Sequence, residues 1–191
     1  LFPVLQMLYW TIIFPKHFID LKITELFLNT ILLVVLSSVV LISFAFISNF
    51  GNRVTKSKFL NFLSTFSVCG YAIPGIILAV AYISFISWLD NNVISFFETK
   101  TIKSIFIGSV LGLVLVYFVR FYSLASNGIK SGYLKINYSI DESSYLLGYS
   151  KFKTFLNIHV PYLKNSVLLI GILIAIEIIK ELPITLILRP F

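Results

Sequence analysis

The sequence predicts an all-α protein, a polytopic bundle of transmembrane helices, and three observations predict it. Of 191 residues, 58% are hydrophobic and only 12% charged, and the mean hydropathy is +0.96, far from the balance of a water-soluble domain. Long uncharged runs recur along the chain, and a run of about 20 apolar residues is what a helix needs to cross the hydrocarbon core. The charge is also segregated: nine Lys and Arg residues gather around two of the connections between runs, a bias that loops acquire on the cytoplasmic side of a membrane.

The elements follow in order. The first run, Leu1 to Pro15, has neither the basic start nor the small-residue cleavage site of a secretory signal, so a partial membrane helix over 1–15 is expected. The uncharged run from Leu26 to Asn52 outlasts a bilayer and gives a span at about 26–50, and Phe59 to Leu89 gives another at about 62–89. Ser104 to Val119 is shorter. Lys103 and Arg120 stand at its ends, where long cationic side chains snorkel to the headgroups, so a span at about 104–122 is still expected. A last one, about 162–182, is interrupted by Glu177 and Lys180. The chain starts without methionine and stops soon after a proline-containing connection, which makes a fragment of a longer bundle the expectation.

Charge orients these spans. Arg53, Lys56 and Lys58 follow the first long span, while Arg120, Lys130, Lys135, Lys151, Lys153 and Lys164 surround the polar connection at about 123–161. Only Asp141 and Glu142 oppose them. The remaining six basic and six acidic residues cancel, so the whole formal charge of +7 falls on one side. Two spans separate the two basic loops, so alternation and charge agree in placing both in the cytoplasm. Topology alone accounts for the pI near 9.5, and nucleic acid is not an expected partner.

The polar connection carries helix punctuation. Ser139 and Glu142 have the S-x-x-E spacing of a capping box, Gly148 is placed to end the short helix that follows, and Ser150 can start another. In the second helix Phe152, Phe155, Leu156, His159 and Val160 fall on one face, and Pro161 marks a boundary before the next span. The product is a bent pair of short amphipathic helices. Periodicity leaves open whether they lie in the headgroup layer or meet a partner.

Glu142-Ser143-Ser144, then Gly148, then Ile158-His159-Val160-Pro161 resembles the EAA loop of permeases in binding-protein-dependent ABC importers, whose pattern is E-A-A, three residues, G, nine residues, I, one residue, L-P. Glu142, Gly148, Ile158 and Pro161 match at the proper spacing, Ser143 and Ser144 replace the alanines, and Val160 replaces leucine. Gly70 to Tyr82, GYAIPGIILAVAY, and Lys180 to Phe191, KELPITLILRPF, are similar to segments of the ferric-iron type permeases, in the second of two fused halves. The resemblance implies the type I ABC importer permease fold, incomplete here, in a bacterial inner membrane. It implies a coupling helix that seats in a cytoplasmic ATP-binding subunit, with Glu142, Ser143, Ser144, Gly148, Ile158 and Pro161 at the contact. Further implied partners are a periplasmic solute-binding protein and a second permease half or copy. Ferric iron is the expected solute, with sulfate, thiamine, polyamine and phosphonate as alternatives. A non-transporting membrane remnant with a structural role is the other class of reading.

Two more groups attract notice. Pro74 removes a helical hydrogen bond and Gly75 loosens the next turn, which fits either a passive kink or a gate. Glu177, Lys180 and Glu181 share a helical face on which Lys180 can neutralise either carboxylate, as a structural pair or as part of a pathway. Gly108 and Gly112 have the G-x-x-x-G spacing of close helix packing. No catalytic residues are expected. Cys69 is solitary, His17 and His159 fall on opposite sides, and no phosphate-cradling glycine loop is present, so no metal or cofactor is assigned to the chain and ATP belongs to a partner.

Overall fold

The computed structural model describes residues 2–13, 21–55, 58–93 and 106–189, and every element among them is helical. In chain order these are α1 (Phe2–Ile13), α2 (Leu21–Thr55), α3 (Lys58–Phe66), α4 (Val68–Ala72), α5 (Gly75–Val93), α6 (Val110–Tyr133), α7 (Tyr138–Leu146), α8 (Lys151–Thr154), a π-helical turn (Phe155–His159), α9 (Val160–Lys180) and α10 (Leu182–Leu188). Three helices are long and apolar enough to cross a membrane: Ile23–Thr55, Val110–Tyr133 and Lys151–Lys180. Leu1, Pro15, His17, Lys56, Lys103, Ser104 and Phe191 lie outside the described residues.

α6 is the centre. It packs on α2, α4 and α9, while α10 lies against α5. On α2 the buried positions Val34, Ser37, Ser38, Leu41 and Ala45 recur at helical spacing, and the opposite face exposes Val39, Phe44 and Ile47. That polarity is inside out for water and natural for lipid. Between helices in a membrane, where burial of apolar surface supplies no drive, small residues that let backbones approach do the work. Gly128 and Gly132 on α6 are such residues: a Cβ would lie 2.6 Å from Ile170 Cγ1 at the first and 2.8 Å from Leu163 Cδ2 at the second.

Several expectations shift. The span at about 62–89 is broken, because Ile73 is extended and α5 restarts at Gly75; Pro74 has no amide to continue the ladder. The span expected at 104–122 runs instead from Val110 to Tyr133 behind an N-cap at Ser109, so the polar connection starts eleven residues later than about 123. Arg120 therefore sits within α6 and not at a headgroup end. Gly108 lies outside α6 with φ +70°, so it forms no helix-packing pair with Gly112, whose would-be Cβ meets the Phe106 carbonyl oxygen at 2.1 Å. The span expected from 162 begins as a continuous helix at Lys151, the π-turn taking up Pro161 without a break. α1 buries none of its residues.

Candidate functional site

Two polar constructions stand out, one at the end of the bundle where α2 stops and one within it. The first is the elbow of α7 and α8. Asn137, not Ser139, caps α7, accepting from the Ser139 amide at 3.3 Å, so the expected Ser139–Glu142 capping box does not form. Glu142 falls in the second turn and is exposed. The helix ends as expected at Gly148, φ +82°, with the Tyr149 amide bonded to the Ser144 carbonyl and the Gly148 amide to that of Tyr145, the paired bonds of a Schellman motif. Ser150 then caps α8 by accepting from the Lys153 amide at 3.4 Å.

One face of this elbow is bolted to the bundle. Asp141 is 8% exposed, receives Arg53 Nε at 2.7 Å on one oxygen and has His159 Nε2 3.1 Å from the other. Arg53 spends its other nitrogens on the carbonyls of Tyr133 at 3.3 Å and Ile136 at 2.9 Å. The end of α2, the start of α7 and the π-turn thus meet on one carboxylate, and Arg53 ties in the end of α6. The π-turn places His159, which is fully buried; the Val160 amide closes it on the Phe155 carbonyl, one residue further back than in an α-turn. Ser144 also faces inward, its hydroxyl 2.9 Å from that of Thr154, whereas Ser143 stays exposed. The expected apolar face of the second helix splits: Phe155 packs on Phe46 and Phe50, and Phe152 remains 68% exposed. Of the six coupling positions, Ser143, Ser144 and Ile158 line one groove of about 390 Å³, while Glu142, Gly148 and Pro161 do not. Leu146 and Leu147 stand 88% and 78% exposed at the tip of the elbow.

The second construction joins two helix interruptions. α4 ends at Ile73, α9 ends at Glu181, and Arg120 of α6 reaches both. Its Nη1 donates to the carbonyl of Ile73, whose extended backbone puts it outside the helical ladder, and its Nε lies 2.9 Å from Glu181 Oε2. Glu181 is 8% exposed, and a Cβ on Gly75 would fall 2.0 Å from its Oε1. Gly75 is therefore glycine because a carboxylate occupies the space of its side chain. Thr185 extends the cluster, accepting from the Tyr117 hydroxyl at 2.6 Å and donating to the Glu181 carbonyl. Pro74, Gly75 and Glu181 are brought together as candidate gate residues. Glu177 is not: it pairs with Lys180 at 3.0 Å on the exposed side, so Lys180 does not reach Glu181.

No protein-family model matches the chain, and no curated protein matches it. The residues that sequence reasoning missed are Arg120 and Asp141. Arg120 stands at the edge of an uncharged run and reads as its terminus, and in the sequence Asp141 stands out only as a charge beside Glu142. The spacing of Asp141 and Ser144 on one face of the short helix was the available signal.

Proposed function

We propose that the chain is a membrane subunit of an ATP-driven importer, with a separate ATP-hydrolysing subunit gripping the α7–α8 elbow from the cytoplasm. The observation that carries this reading is the buried clamp of Arg53, Asp141 and His159. An elbow that merely floated among headgroups has no use for a shared buried carboxylate tying it to two spans. An elbow that transmits force does, because a push on α7 then moves α2 and α9 as a body and is not absorbed by a loop. Exposed Leu146 and Leu147 supply the apolar contact, and Glu142 a polar one beside them.

On this reading the protein is a multi-pass component of a bacterial inner membrane, partnered by a periplasmic solute-binding protein and a second permease half or copy. Ferric iron is the proposed solute on the resemblance of Gly70 to Tyr82 and Lys180 to Phe191 to iron permeases. The interruptions at Pro74-Gly75 and Glu181 are the proposed gate, since broken helices at membrane depth are tolerated where they line a path. Tyr145→Cys in a Cys69→Ser background tests the placement. A membrane-impermeant maleimide should label it in inside-out vesicles and not in intact cells; labelling only from the cell exterior would overturn the reading. A co-purifying ATPase subunit should also be lost on Gly148→Val.

A further inference from the structure

A pocket of about 470 Å³ opens beside the clamp, between the end of α2 and the end of α6. Asn49, Asn52 and Arg53 form one wall, Lys130 and Tyr133 another, and the connection through Lys135 the floor. Its charge is uneven in a telling way. Arg53 is neutralised by Asp141 and each of its three side-chain nitrogens is engaged, on that carboxylate or on one of two carbonyls, so it acts as a fixed wall. Lys130 and Lys135 have no ion-pair partner among the described residues, and both are exposed. No carboxylate lines the pocket. Two further groups lack partners: the buried Tyr133 hydroxyl and Asn52 Oδ1.

Depth narrows the ligand. Arg53 is the first charge after the uncharged run of α2, and Lys130 is in the last turn of α6. The pocket therefore lies where apolar spans give way to polar surface, the level of lipid headgroups. An apolar side chain borders it, Leu134, exposed at 82%. Basic pockets between spans at this level are built to hold anionic headgroups.

We propose that this pocket binds a phosphate ester, carried by the headgroup of an anionic phospholipid, with Lys130 and Lys135 as its counter-charges. The phosphate rests between the two ammonium groups, and the acyl chains leave past the exposed Leu134. This site does not depend on the importer reading; a bundle with any function could carry it.

The test uses the full chain purified in an uncharged detergent, titrated separately with phosphatidylglycerol, phosphatidylcholine and inorganic phosphate, and read by native mass spectrometry and by the thermal midpoint. Phosphatidylglycerol should bind in preference to phosphatidylcholine, and Lys130→Gln/Lys135→Gln should weaken it about thirtyfold, the loss of two lysines near a charged headgroup. Lys164→Gln, an exposed lysine on α9 outside the pocket, should change nothing. Equal retention of both lipids, or an unchanged phosphatidylglycerol affinity in the double variant, would overturn the site. Inorganic phosphate binding as tightly as the lipid, and lost in the double variant, would overturn the lipid source and leave a site for a soluble phosphate.

Discussion

Arg120→Met, Glu181→Leu and their combination should show how the two helix interruptions are held. The Arg120 and Glu181 side chains are 17% and 9% exposed and lie 2.9 Å apart. Removing one member strands the other charge in a poorly solvated place, which costs about 3–5 kcal/mol. Slight exposure of Arg120 puts Glu181→Leu near the lower end, about 3 kcal/mol. Arg120→Met does more. It also strips the donor from the half-buried Ile73 carbonyl, and leaving that acceptor unsatisfied adds about 1 kcal/mol. That brings it to roughly 4 kcal/mol. The double variant removes both charges and leaves only the bare carbonyl, so it should return to within about 1–2 kcal/mol of the parent. Reversible unfolding of the purified chain in mixed micelles measures all four corners of the cycle. Single variants each costing under about 1 kcal/mol, or a double variant equal to the sum of the singles, would refute the view that this is one buried, mutually dependent pair.

Gly75→Ala should destabilise by about 1–3 kcal/mol in the same unfolding assay, since its Cβ would stand 2.0 Å from Glu181 Oε1 and the carboxylate would have to leave Arg120 or the helix shift; Gly75→Ala combined with Glu181→Leu should cost less than the two changes summed. Gly148→Val should cost roughly 1–2 kcal/mol, because φ +82° is closed to a β-branched residue and nothing else crowds the site, and Gly148→Asn should be milder by urea or thermal midpoint. Glu177→Gln should leave the thermal midpoint where it is, because its partner Lys180 lies on the exposed side and the pair spans a single turn.

What the sequence made legible was what composition and periodicity control. Runs of apolar residues located α2 and the greater part of α9, and the glycine and serine at 148 and 150 located the bend and restart of the elbow, because each answers a local backbone demand that no distant contact can override. The failures share a cause. Ser139 lost the cap to Asn137, whose extended backbone (φ −66°, ψ 143°) sits where α7 must leave α6, a boundary set by the Arg53 contacts to Tyr133 and Ile136. Arg120 read as a helix end because a cation among apolar neighbours is costly, and its compensation, Glu181, is 61 positions away. Gly128 and Gly132 carried the same G-x-x-x-G spacing as Gly108 and Gly112, but which pair meets a neighbour is decided by tertiary placement.

The two constructions are connected through one rigid element. Arg120 and Tyr133 are both on α6, 13 residues apart, about 20 Å along an uninterrupted helix. At one position α6 holds the broken ends of α4 and α9 through a buried pair; at the other its Tyr133 carbonyl takes a bond from Arg53, which also holds the elbow. Between them Gly128 and Gly132 press α6 onto α9, so neither helix can slide without the other. On the proposed reading a displacement of the elbow has few places to go. It cannot dissipate at the clamp without exposing Asp141, nor between α6 and α9 without opening the glycine contacts, and the least constrained joint it next meets is the pair of interruptions, where a single ion pair stands in for a continuous helix. On that reading the proposed gate falls at the Arg120–Glu181 pair, and α10, which Thr185 joins to Tyr117, is the segment that would move first.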